Sequence, residues 1–119
     1  MMTEGAGKNA MTVRQKYQKA LMLLDRGAFE RGEEVLRQVV SESEGDATML
    51  VEGLVCLGDL LQQTGRSSES RPFLERALQQ KLDDDLDDLL DWELDRAREL
   101  LSAMVSSDDR SSAGEFFSV

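Results

Sequence analysis

The sequence predicts an all-helical fold, an array of about five helices paired into antiparallel hairpins. Three observations carry that reading. Leu, Glu, Ala, Arg and Gln are abundant, and these residues favour helices. One Pro and six aromatics (Tyr17, Phe29, Phe73, Trp92, Phe116, Phe117) argue against a β-sandwich, which is rich in turn signals and strand-forming aromatics. The third is an apolar stripe with helical spacing that recurs three times at a period near 40.

The elements follow in order. Val13, Tyr17, Ala20 and Leu24 lie at +4, +7 and +11, one face of a helix over about 11–26. Gly27 breaks the pattern. Phe29, Gly32, Leu36 and Val39 restart it over 28–42, widened by Val35 and Val40, so Arg26-Gly27-Ala28 is a hairpin turn. Ser41 to Asp46 is a loop by composition. Leu50, Leu54, Leu57 and Leu61 repeat the stripe over 47–64, and Gly65 ends it. Ser67 or Ser68 is a plausible N-cap for a fourth helix over 68–80, with Phe73, Leu74, Ala77 and Leu78 on its apolar face. Pro72 then falls near the first turn, where its missing N–H does least harm. A fifth helix over 85–105 carries Leu90, Leu94, Ala97 and Leu101, extended by Leu86, Met104 and Val105.

Gly27 to Gly65 is a step of 38, and Leu50 to Leu90 a step of 40. Residues 1–10 read as a flexible N-terminus, 11–105 as one helical domain and 106–119 as a flexible Ser-rich tail. The domain divides into units 11–42 and 47–80 and a capping helix, 85–105.

Charge and composition exclude several functions. Lys plus Arg number 14 and Asp plus Glu 24, a net charge of −10. A phosphate-tracking nucleic-acid binder needs a basic face, and so does docking on anionic lipid. The absence of His removes imidazole chemistry, and a single Cys56 removes internal disulfides and Cys-cluster metal sites. There is no apolar run of signal-peptide or membrane-spanning length. The expectation is a soluble, cytoplasmic protein with no cofactor and no metal.

Leu54-x-x-Leu57-Gly58-x-x-Leu61-x-x-x-Gly65, followed by Ser70, Phe73-Leu74 and Ala77, resembles a tetratricopeptide repeat. Ala20, Leu23, Gly27, Phe29 and Gly32 match the same pattern in the first unit. There, however, Lys16 and Lys19 replace apolar residues, as suits a terminal repeat whose outer face meets water. The third unit departs further: Arg98 replaces the small residue, and no clear second helix follows. The resemblance covers about residues 11–105 and implies a right-handed array. Gly58 and Ala20 let paired helices approach closely, and each hairpin leaves an apolar side for the next to cover.

The resemblance also implies a concave groove lined by the first helix of each unit. Its positions here are Arg14, Tyr17 and Leu21, then Glu52, Val55 and Asp59, then Trp92, Asp95 and Glu99. Such a groove combines apolar anchors with an acidic rim and suits a peptide or helix carrying basic and apolar side chains. Trp92 either anchors that partner or packs against the preceding helix. Some family members clamp acidic chaperone C-termini through Lys, Asn and Arg. Tyr17, Leu21 and Cys56 stand at those positions and cannot hold two carboxylates.

Other features read blandly. Asp83 to Asp95 holds eight carboxylates in thirteen residues. As a calcium loop starting at Asp83 it lacks the Gly at position 6 (Asp88) and the Glu at position 12 (Leu94), so an acidic helix N-terminus fits better. No carboxylate pair, phosphate loop or nucleophile set frames an enzyme. Cys56 sits on an apolar helix and reads as a packed thiol. Phe117-Ser118-Val119 matches a sheet-edge carboxyl-terminal motif, though such loose patterns recur at many termini and Phe116 and Phe117 folding back onto the last helix fits better.

The expected function is a non-enzymatic protein–protein interaction adaptor. The alternatives are a small acidic chaperone for an apolar secreted or membrane-inserting client, and a self-assembling element, such as a homodimer, stacked through incompletely capped repeats. Residues 1–40 carry a net charge of +2 and residues 41–119 a net charge of −12, so any partner should bring positive charge to the C-terminal half.

Overall fold

The structure is a computed structural model that describes the backbone of residues 11–118 and the side chains of residues 11–104. The flexible segments expected over 1–10 and 106–119 lie outside the fully described residues. Six helices and no strand occur among the described residues: α1 Val13–Asp25, α2 Phe29–Glu42, α3 Ala47–Gln63, α4 Ser67–Leu78, α5 Asp84–Leu89 and α6 Asp91–Ser118. No helix among them is long and apolar enough to cross a membrane.

Side-chain caps start α1, α3 and α5. Thr12 and Gln15 form a reciprocal capping box on α1: Gln15 N–H donates to Thr12 Oγ1 at 3.0 Å, and Thr12 N–H to Gln15 Oε1 at 2.9 Å. Asp46 caps α3 by accepting from Met49 N–H. The two hairpin turns share one design. Gly27 and Gly65 both have φ +81°, a left-handed conformation that costs a side-chain-bearing residue energy. In each, the residue after the Gly donates back into the helix: Ala28 N–H to Leu23 O at 2.9 Å, and Arg66 N–H to Leu61 O at 2.8 Å.

The step of 38 holds through both hairpins. Ala20 and Gly58, Gly32 and Ser70, Leu36 and Leu74, and Val39 and Ala77 are each 38 apart, and all eight are buried. At Gly32 an added Cβ would lie 2.6 Å from Leu24 Cδ2, and at Gly58 it would lie 2.5 Å from Leu74 Cδ2. The small residues are therefore what sets the helix spacing.

Helices α1 and α2 pair, as do α3 and α4, and α2 packs on α3 to join the hairpins. Helix α6 lies against both α3 and α4, covering the second hairpin. Leu54, Leu57, Leu61 and Leu74 are fully buried, and Leu90, Leu94 and Ala97 extend the same core into the last helix. On the α2–α4 side, Arg66 Nη1 meets Glu33 at 2.6 Å, and Arg37 stacks on Phe73 with 5.5 Å to the ring centre.

Several expectations shift. The single capping helix over 85–105 is two helices, because α5 closes at Leu90 and α6 starts at Asp91. Leu86 therefore belongs to α5 and does not extend the α6 stripe. Within α6, Leu100 is buried and Leu101 only half-buried, so the core-facing stripe includes a position that the +4, +7, +11 spacing did not. Helix α4 opens at Ser67 with Arg66 as a cap lacking a side-chain bond, so neither Ser67 nor Ser68 is the N-cap. Pro72 is then the sixth residue of α4, one residue deeper than in the expected helix over 68–80. The loop after α2 is shorter than composition suggested: Glu42 is still helical, and Ser43 is buried with its hydroxyl on Val39 O.

Candidate functional site

The first helices of the successive units, α1, α3 and α6, carry the nine positions expected to line the groove. Helix α3 is the floor, because α1 and α6 both contact it. Its Val55 is buried, and Glu52 and Asp59 are half-buried one turn to either side.

Tyr17, Leu21, Glu52, Val55, Asp59 and Trp92 line one half-enclosed pocket of about 160 Å³, together with Cys56, Glu93 and Arg96. Asp59 and Trp92 also border an open depression of about 530 Å³ with Asp95, Arg96 and Glu99. Leu21, Cys56 and Asp59 continue the groove the other way, into a hollow of about 430 Å³ walled by Leu24 and Phe29. Eight of the nine expected positions thus lie along one groove. The ninth, Arg14, lines none of the three hollows and ion-pairs with Glu52 at 3.1 Å.

Trp92 does not pack against the preceding helix. It is 69% exposed, because Leu90 and Leu94 take the core-facing positions of α6 and leave Trp92 on the open side. Phe29 at 48% and Leu21 at 39% are the other exposed large apolar groups along the groove. Phe29, the first residue of the α2 stripe, lines the same hollow as Leu21 instead of joining the core.

The acidic rim is largely paired. Arg96 reaches Asp59 at 3.2 Å and Glu99 at 3.3 Å, and Arg98 holds Asp95 at 2.8 Å. With Arg14 on Glu52, each of the four carboxylates expected to face a partner already has an arginine. The groove is therefore less acidic than its list of Asp and Glu suggests. Arg96 was missed because its partner lies 37 residues away, so only the packing of α6 on α3 brings the two together.

Glu93 is the exception. Among the described residues no hydrogen bond or ion pair holds it, and its charge acts on the pocket from α6. Burial raises the Glu52 carboxyl above its ordinary range, and Glu93 raises it further against the pull of Arg14. Burial lifts the Tyr17 hydroxyl well above its usual value, with Cys56, Glu52 and Glu93 adding to the effect. Burial likewise pushes the Cys56 thiol up to about 11, while its hydrogen bond with Tyr17 works in the opposite direction. Cys56 is thus a neutral packed thiol rather than a nucleophile.

Among the described residues no three carboxylate or thiol groups converge on one point that could hold an ion. The Asp-rich run divides instead, with Asp83 capping α5 through Leu86 N–H at 2.8 Å and Asp84, Asp85 and Asp87 in its first turn.

Comparison with protein-family models, with curated proteins and with solved structures gives no match.

Proposed function

We propose that this chain is a tetratricopeptide-like protein–protein interaction adaptor, non-enzymatic and cytoplasmic, that seats a peptide or helix in the α1–α3–α6 groove. The observation that carries the reading is the row of exposed apolar groups, Phe29, Leu21 and Trp92, along a groove whose floor is rigid α3. Exposed aromatics beside half-buried polar groups are the usual anchors of an interface. The excess of carboxylates over arginines around them favours a partner with basic as well as apolar side chains.

The repeat itself supports the tetratricopeptide reading. Small residues sit at matching places in both hairpins, both turns use a left-handed Gly, and α6 covers the final apolar face.

The test is affinity capture with mass spectrometry, run on the native chain beside a Leu21→Ala/Trp92→Ala variant. Both side chains are exposed, so the variant should fold. A partner present with the native chain and lost with the variant supports the adaptor reading. Partners that survive the double substitution would place binding elsewhere. A stoichiometric complex with one apolar client would favour the chaperone instead.

A further inference from the structure

The half-enclosed pocket between Trp92 and Tyr17 is lined by a half-buried carboxylate, Glu93, that no ion pair or hydrogen bond among the described residues engages. Its walls come from three helices: Tyr17 and Leu21 on α1, Glu52 and Val55 on α3, and Trp92 and Glu93 on α6. Along the groove three arginines, Arg14, Arg96 and Arg98, engage the four carboxylates Glu52, Asp59, Asp95 and Glu99, with Arg96 shared between Asp59 and Glu99. Here Arg14 answers Glu52 and Arg96 answers Asp59, and Glu93 is left over. The pocket is one positive charge short of neutral.

Its remaining lining selects the kind of cation. Val55 and Leu21 offer an apolar surface for a methylene stem. Trp92 and Tyr17 supply aromatic rings, which attract cations. The Tyr17 oxygen, Glu52 and Glu93 are acceptors presented from three separate helices. Three acceptors in different directions match the three rotatable donors of an ammonium better than the flat fork of a guanidinium, which favours one carboxylate held bidentately. A volume of about 160 Å³ admits one such side chain and little more.

We infer that this pocket is a lysine subsite, taking the side chain of a lysine from the bound peptide with its ammonium beside Glu93 and its stem along Val55 under Trp92. The inference rests on the groove being the binding face and names the residue that face reads. Arg96, already engaged by Asp59 and Glu99, closes the far side and disfavours a second cation.

The test uses two small probes, Nα-acetyl-lysine methylamide and its uncharged counterpart Nα-acetyl-norleucine methylamide. Each is titrated into the ¹⁵N-labelled full chain. The chain has one Trp, so a single indole N–H signal reports Trp92. The lysine compound should shift that signal saturably and bind about fivefold more tightly than the norleucine compound. Glu93→Gln should erase the preference, and it leaves the size of the side chain unchanged. Equal shifts with both compounds, no shift with either, or a lysine preference that survives Glu93→Gln would each overturn the subsite. The groove reading has a separate readout. A peptide selected for binding to the whole chain can still map to Leu21, Phe29 and Trp92 when lysine is not preferred, in which case the adaptor stands and the lysine subsite falls.

Discussion

Ser70 Oγ donates a hydrogen bond of 2.6 Å to the carbonyl oxygen of Gly58, locking α4 onto α3 where the two helices come closest. Both residues are buried, and Leu74, one turn beyond Ser70, fills the space above Gly58. One small residue opens the gap, and the other closes it with a polar contact.

Gly58→Ala should therefore destabilise, although Ala is the better helix former by about 1 kcal/mol. The new Cβ would lie 2.5 Å from Leu74 Cδ2 and 2.7 Å from Leu74 Cγ, and Leu74 is fully buried with nowhere to move. Overpacking of this kind costs about 1–3 kcal/mol, so after the propensity gain a net loss of up to about 2 kcal/mol is expected in urea denaturation at unchanged m. Ser70→Ala should cost about 1 kcal/mol, the worth of one buried hydrogen bond.

Arg96→Ala tests how α6 is held. The guanidinium reaches both Asp59 oxygens, at 3.2 and 3.3 Å, but the pair is partly open to water. Solvent screening limits the loss to about 0.5–1 kcal/mol. The same substitution frees the Asp59 charge toward the groove. A cationic peptide should then bind more tightly at low salt, with the gain shrinking as salt rises. Isothermal titration at two ionic strengths checks this. Weaker binding at both would mean that Arg96 itself contacts the partner.

Cys56 gives a prediction in pH. Its thiol is held up at about 11, against about 8.5 for a free cysteine. At pH 8 iodoacetamide should modify it on the order of a hundredfold more slowly than in the urea-unfolded chain, because far less thiolate is present. The linkage has a definite sign. The unfolded thiol loses its proton first as pH rises, so the unfolded state binds fewer protons and stability falls between about 8.5 and about 11. Cys56→Ala should flatten that part of the decline, and an unchanged slope would mean that the thiol titrates normally.

How much was legible in the sequence follows from what was local. The stripe through Leu54, Leu57 and Leu61 and the breaks at Gly27 and Gly65 are set by helix period and backbone sterics, and both survive folding. The α5–α6 break at Leu90 was not legible, because no Gly or Pro marks it and the apolar positions run through it. The helices that carry the nine groove positions were legible in the sequence, but the ion pairs formed by their carboxylates were not. Arginine pairing across α1, α3 and α6 depends on side chains 37 or 38 residues apart.

The central claim is that the α1–α3–α6 groove is the binding face. The most direct measurement selects binding peptides from a random display library on the full chain. The tightest binder is then mapped by ¹⁵N chemical-shift changes. The account predicts shifts concentrated at Tyr17, Leu21, Phe29, Cys56 and Trp92, and loss of binding in Leu21→Ala/Trp92→Ala. Shifts centred on Arg37, Phe73 and Glu75 of the α2–α4 side, or no selectable peptide at all, would contradict it.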